Sequence, residues 1–82
     1  MTLEEKERFL LKSTYSANDV KLLTNLAKSR VSVIMNICRE KYGGTVPHRA
    51  NVITAKSFWL YEGTTIDEEY RLLGIAKGYV RR

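Results

Sequence analysis

The sequence predicts a mainly α-helical domain that contains one short extended segment. Three observations support this prediction: hydroxyl residues precede acids by three positions, apolar residues recur at helical spacing, and glycines follow the helical stretches. The chain has 82 residues, which is enough for one domain over residues 1–82, and 44% of them are hydrophobic, as is usual for folded proteins.

Three helix starts are marked by a hydroxyl residue that stands three positions before an acid, namely Thr2 before Glu5, Ser16 before Asp19 and Thr65 before Glu68. Such a pair can satisfy the free amides of a helix N-terminus. The first and last pairs have the glutamate of a full capping box, and the middle pair is a close variant with aspartate. These signals predict helices near residues 3–13, 17–24 and 66–76.

Two further helices are predicted from apolar spacing and from a cap. Apolar residues recur at three- and four-residue spacing over residues 28–42, which predicts a helix that ends at Gly43-Gly44. Thr54 is suited to cap a short helix over residues 55–62, before Gly63.

The segment between these two helices is predicted to be irregular or extended. Pro47 interrupts any helix there, because proline lacks the amide that a helix interior needs. Thr45-Val46 and Asn51-Val52-Ile53 could pair as a short hairpin.

Residues 16–42 have the apolar pattern of a helix-turn-helix. The pattern consists of Val20 and Leu23 in the first helix, Asn25 and Leu26 in the turn, and Val31 and Ile34 in the second helix. Asn25 is one of the few non-glycine residues that tolerate positive φ, and we expect Leu26 to be buried in the corner between the helices. An ordinary helical hairpin would have a similar apolar stripe and is the alternative.

Most of the positive charge lies in one part of the chain. The net charge is +5, of which residues 27–50 carry +4, whereas residues 1–26 are neutral and residues 51–82 carry +1. A surface that faces a polyanion requires such clustering, although many solvated surfaces are also basic. Together with the Asn25 turn and the polar start of the second helix, the cluster favours DNA binding over a plain hairpin.

Two stretches carry a resemblance to a known family. Residues 15–35 resemble the entry motif of the MerR-like winged-helix family, which includes phage and transposon excisionases; the signature positions are Tyr15, Asp19, Val20, Leu23, Leu26, Ser29 and Val31. Residues 51–61 look like the strand-to-helix segment that closes the wing of this family. The chain departs from the motif at three positions, with Asn25 for glycine, Thr24 for leucine and Lys21 for a small residue.

The resemblance implies a winged helix with a helix-turn-helix at about residues 16–42 and a short β-wing at about residues 43–53. Helices at about residues 55–62 and 66–76 follow, and an N-terminal helix precedes the motif. The implied function is sequence-specific binding of double-stranded DNA, as an excisionase (a recombination directionality factor) or a small transcription regulator of a phage or mobile element. Implied partners are further copies side by side on DNA and a recombinase or integrase.

The expected DNA contacts lie on the second helix and at the wing tip. They are Lys28, Ser29, Arg30, Ser32, Val33, Asn36 and Arg39 on the helix, and His48 and Arg49 at the wing. In a major groove Asn36 suits adenine and Lys28 suits guanine or phosphate, whereas Ser29 and Arg30 are placed for a backbone phosphate. The alternative is a solvated polar face without a ligand.

The aromatic run at residues 58–61 offers a different function. Most of it should be core, but four consecutive helical residues cannot all face inward, so Trp59 or Leu60 is expected to stay partly exposed. A protein-interaction adaptor that uses the helical hairpin and the Trp59 region is therefore the rival interpretation.

Other classes of protein find little support in the sequence. Cys38 is the only cysteine and His48 the only histidine, which excludes an internal disulfide and argues against a metal site or other cofactor. The acids at 67–69 suit a helix's first turn, and no catalytic set emerges, so we do not expect an enzyme. Apolar runs are too short to cross a membrane, and the N-terminus lacks signal-peptide features, so we expect a cytoplasmic protein.

Overall fold

The computed structural model describes residues 2–76 and residue 78. These residues form α1 (Leu3–Leu11), β1 (Thr14–Ser16), α2 (Ala17–Thr24), α3 (Lys28–Lys41), β2 (Val52–Thr54), α4 (Ala55–Tyr61) and α5 (Ile66–Ala76). The described part is thus mainly helical with one small antiparallel sheet, which confirms the coarse prediction of a mainly helical fold.

Strand β1 was not predicted, and it changes the expected sheet. It pairs antiparallel with β2, so that Tyr15 lies opposite Ile53. The expected hairpin within residues 45–53 is reduced to a single bridge between Thr45 and Ile53, and β2 takes β1 as its main partner instead. The prediction of a helix to residue 13 is also wrong, because the chain becomes extended at Lys12 to enter β1.

All three predicted N-terminal caps form, and the pair that the sequence presents as a close variant is the most complete of them. At α2 both halves of the capping box are present: the Ser16 amide donates to Asp19 Oδ2 at 3.0 Å, and the Asp19 amide donates to Ser16 Oγ at 3.3 Å. The hydroxyls of Thr2 and Thr65 accept from the amides three residues later, at 3.2 and 3.1 Å. The aspartate variant is therefore the pair that is reciprocal here.

The core is organised around the Tyr15 side chain, which is fully buried. Its hydroxyl donates to the Phe9 carbonyl oxygen at 2.6 Å and accepts from Trp59 Nε1 at 3.0 Å. Its ring meets Phe9, Phe58 and Trp59 edge to face, with centroids 5.6 to 6.5 Å apart. Burial raises the pKa of Tyr15 to about 12, so the phenol stays protonated and keeps both hydrogen bonds at neutral pH.

Trp59 belongs to this core, with only 7% of its surface exposed. Of the two residues expected to stay partly exposed, Leu60 is half-buried and Trp59 is not exposed. Leu60 therefore meets the expectation of one partly exposed residue, and Trp59 does not, because its own chain encloses the indole.

In the turn between α2 and α3, the prediction for the backbone of Asn25 is confirmed and the prediction that Leu26 is buried is wrong. Asn25 has φ 57° and ψ 34°, the left-handed conformation that the sequence predicts for it. Leu26 is 38% exposed and does not fill the corner. Leu23, near the end of α2, packs against the core as expected, whereas the three-residue turn carries Leu26 to the surface.

We expect Tyr15→Phe to lower the free energy of unfolding by about 1–3 kcal/mol, because the buried Trp59 N–H loses its acceptor. The Phe9 carbonyl still accepts from the Lys12 amide at 3.1 Å, so one group is orphaned. Urea unfolding measures the effect. Tyr61→Phe is the matched control, because the half-buried Tyr61 hydroxyl makes no hydrogen bond within residues 2–76. Equal losses in both variants would contradict the assigned hydrogen bond.

The corrected turn predicts that Ile34→Ala and Leu26→Ala differ in stability. Ile34 is 3% exposed and its truncation should cost about 2–5 kcal/mol, whereas Leu26→Ala should cost less than about 2 kcal/mol. Thermal and urea unfolding of the two variants compare them directly. A larger loss for Leu26→Ala would restore Leu26 to the corner between the helices.

The Asp19 cap predicts a pH-dependent contribution to stability. Burial alone would raise the pKa of Asp19, but hydrogen bonds from Lys12 and Ser16 outweigh it and hold the pKa below its ordinary value. The stabilisation is therefore present above the unfolded-state pKa and is lost as pH falls through the folded-state pKa. Asp19→Ala should lose about 0.5–2 kcal/mol at pH 7, and progressively less in strongly acidic solution.

The matched control for this pH series is Asp67→Ala. Asp67 lies exposed in the first turn of α5 and makes no ion pair within the described residues. Urea unfolding across the acidic range should show a difference between wild type and Asp19→Ala that shrinks with falling pH. A difference that stays constant would mean that the Asp19 charge does not contribute.

Candidate nucleic-acid interface

Helix α3 presents one face to the core and the opposite face to solvent. The inward face is a buried stripe made of Val31, Ile34, Met35 and Cys38. The outward face contains most of the residues expected to contact DNA, and all of these are exposed: Lys28, Ser29, Arg30, Ser32, Val33 and Asn36. The predicted separation of the two faces of this helix is confirmed.

The N-terminus of α3 has unsatisfied amides and no competing acid. Its N-cap residue, Ala27, offers no side-chain hydrogen bond, and the first turn holds no acidic residue. The Val31 amide is bonded to the Ala27 carbonyl oxygen at 3.0 Å, whereas the amides before it have no carbonyl one turn earlier to reach. With Lys28 and Arg30 beside it, this helix end has a strongly positive potential.

Ion pairs neutralise charge elsewhere in the molecule and leave this region basic. Lys6 pairs with Glu69 at 2.9 Å and Lys12 with Asp19 at 2.7 Å, while Arg71 pairs with Glu68. No ion pair in the described part of the chain involves residues 27–54. The basic side chains there therefore have no acidic partner within the described residues; they are Lys28, Arg30, Arg39, Lys41 and Arg49.

Segment 43–53 is anchored at its root to α3 and to β2. Gly43 has φ 66°, and the Gly44 amide donates to the Cys38 carbonyl oxygen at 2.9 Å. A Cβ on Gly44 would lie 3.0 Å from that same oxygen and would overlap the buried Ser57 side chain, so only glycine fits. The Thr54 amide then donates to the Gly44 carbonyl oxygen at 3.1 Å and brings the chain back.

The tip of segment 43–53 is exposed and tightly turned. His48 has φ 64°, and the Arg49 amide donates to the Val46 carbonyl oxygen at 3.1 Å. Both side chains expected to contact DNA here, His48 and Arg49, are exposed. Their position at a turn that protrudes from a fixed root suits contact with a large partner.

Arg39 connects this segment to α3, which sequence reasoning did not predict. Its Nη2 donates to the Ala50 carbonyl oxygen at 2.8 Å, and its Nη1 donates to Asn36 Oδ1 at 3.1 Å. Asn36 and the segment tip are therefore neighbours. Lys28 lies at the other end of the exposed face, about 12 Å from Asn36 along the helix axis. No sequence pattern predicts a hydrogen bond between a helix side chain and a loop carbonyl.

Groups that could support other chemistry are buried or dispersed. Burial raises the pKa of the Cys38 thiol, which makes it a poor nucleophile. Within residues 2–76 and 78, no group of three or more His, Cys, Asp or Glu could hold a metal ion. None of the described helices combines the length and the apolar character that crossing a membrane demands.

Comparison with family models, curated proteins and solved structures returns no match for this chain. The functional interpretation therefore depends on the geometry and charge of the described residues.

Proposed function

We propose that this protein binds double-stranded DNA sequence-specifically through a helix-turn-helix made of α2 and α3. The observation that carries the proposal is the solvent-facing surface of α3, whose basic residues have no acidic partner in the described part of the chain. A helix fits into a major groove, and clustered unpaired cations supply the attraction to phosphate.

In this proposal the residues of the interface have separate roles. Ser32 and Asn36 read base edges from the middle of α3, and the half-exposed Val33 packs on a thymine methyl group. Lys28, Ser29 and Arg30 hold a phosphate at the helix N-terminus, where the free amides add to the attraction.

Segment 43–53 serves as the wing in this proposal, and His48 and Arg49 reach the backbone or the minor groove. The bridge between Thr45 and Ile53 and the pairing of β2 with β1 support a compact wing. The resemblance to MerR-like and excisionase proteins extends the proposal to an excisionase or a small transcription regulator of a mobile element.

A single domain of this size offers a small DNA interface, so useful specificity requires several copies side by side or a bound recombinase. The exposed apolar residues outside the proposed DNA face, such as Leu22 at 58% exposure, are available for such contacts. These contacts are proposed only for the protein bound to DNA.

A protein-interaction adaptor remains the second candidate, and one observation favours it. An open groove of about 750 Å³ lies between α1, α2 and α4, with Leu22, Lys21 and Glu62 among its lining residues. A groove that combines an exposed leucine with charged side chains can accept an amphipathic helix of another protein. The adaptor would bind no DNA even at low salt.

Variants at Asn36 and Arg49 should separate base reading from phosphate binding. Asn36→Ala should cost about 1–3 kcal/mol on a duplex selected from a randomised library and little on random duplex. Arg49→Ala should weaken both duplexes similarly and reduce the salt slope by about one unit. Fluorescence anisotropy at several salt concentrations measures both effects.

Arg8→Ala is the matched control for the loss of one positive charge, because Arg8 is exposed on α1, away from α3. We expect it to leave affinity and salt slope close to those of wild type. If Arg49→Ala behaves like this control, the wing does not touch DNA. If Asn36→Ala binds the selected duplex as tightly as wild type, α3 is not the reading helix.

A further inference from the structure

Arg39 makes two hydrogen bonds from one guanidinium group, one within α3 and one to the segment that follows α3. Nη1 donates to the side chain of Asn36, one turn earlier on α3, and Nη2 donates to the main chain at Ala50 in the wing. The two nitrogens belong to one rigid plane, so the positions of the two acceptors are coupled. Arg39 thus uses two of its five N–H donors, one on each terminal nitrogen, within its own protein.

The bond to Asn36 fixes which way the amide points. Arginine has only donors, so its partner on Asn36 must be the oxygen Oδ1 and not the nitrogen Nδ2. The terminal torsion of asparagine is otherwise broad, and an exposed amide can turn over. With Oδ1 held toward Arg39 at 3.1 Å, Nδ2 is directed away from Arg39, and the amide has one orientation.

We propose that Arg39 is a positioning residue that orients Asn36 and holds the wing against α3, and is not a phosphate contact. This inference rests on the proposed function, because the orientation matters only if Asn36 reads a base. Each base presents its own pattern of hydrogen-bond donors and acceptors along its edge. An amide whose donor and acceptor have fixed positions fits one of these patterns and not the reverse pattern. An amide free to turn over accepts both patterns and discriminates less.

The proposal predicts that the geometry of the side chain at position 39 determines base discrimination and that its charge does not. Arg39→Lys keeps the charge but lacks the planar fork that holds two acceptors. Arg39→Met removes both charge and fork while keeping a long side chain. We expect both variants to lose base discrimination by about three- to tenfold, less than the loss of the whole Asn36 contact, with the salt slope unchanged in both.

The experiment first locates the base pair that Asn36 reads. Duplexes selected by the wild-type chain from a randomised library are varied one base pair at a time, and the pair at which Asn36→Ala loses its preference is identified. Discrimination at that pair and the salt slope are then measured for wild type, Arg39→Lys and Arg39→Met. Lys41→Met is the matched control, because Lys41 is exposed in the last turn of α3 and makes no side-chain hydrogen bond within residues 2–76.

A second measurement needs no DNA. Trypsin cleaves after Arg49, next to the carbonyl that Arg39 holds, so the loss of that bond should speed the appearance of this cut severalfold in both Arg39 variants. Lys41→Met should cleave there at the wild-type rate. The Asn36 side-chain amide signals in a ¹H–¹⁵N spectrum should shift in the Arg39 variants and stay in place in the control.

Three results would overturn the proposal, and they differ from failure of the proposed function. Unchanged discrimination with a salt slope lowered by about one unit in Arg39→Met would make Arg39 a phosphate contact. Full discrimination in Arg39→Lys would show that charge alone suffices. Wild-type cleavage rates and amide signals in both variants would show that the bonds do not form in solution. If the wild-type chain selects no sequence at all, the proposed function itself fails.

Discussion

The hydrogen-bonded Tyr15 phenol is the interaction on which the rest of the structure depends. It ties α1 to β1 through the Phe9 carbonyl and β1 to α4 through the Trp59 indole, and it is fully buried among aromatic rings. Because Tyr15 lies opposite Ile53 in the sheet, the same residue sets the register of β2. The end of segment 43–53 is thereby placed before α4 begins, and this segment in turn meets α3 at Arg39.

Features that depend on neighbours in sequence could be predicted. Helix starts follow from side-chain caps within three residues, and the left-handed Asn25 follows from its tolerance of positive φ. The exposed face of α3 follows from helical periodicity, since the buried stripe fixes what lies opposite. These signals are local, so a single sequence contains them.

Features that depend on partners far along the chain could not be predicted. A strand of three residues such as β1 is too short to show alternation, and its partner lies about 40 positions later. The exposure of Leu26 depends on how α2 and α3 pack: apolar spacing predicts that Leu23 and Leu26 both face inward, but only Leu23 packs on the core. The bond from Arg39 to Ala50 likewise requires the folded segment 43–53, so the Arg39 side chain was expected to face a ligand.

The placement of the ion pairs has a consequence for how the molecule approaches a partner. Acids outnumber bases in α1 and α5, which pack on each other, whereas bases outnumber acids in α3, which packs on α2 and α4. Within the described residues, the excess of acids and the excess of bases therefore lie on different helices. In the proposed binding to DNA, phosphates attract the basic α3 and not the acidic first turn of α5, so an approach with α3 leading is favoured within about a Debye length of contact. Fewer encounters then begin with a face that cannot bind.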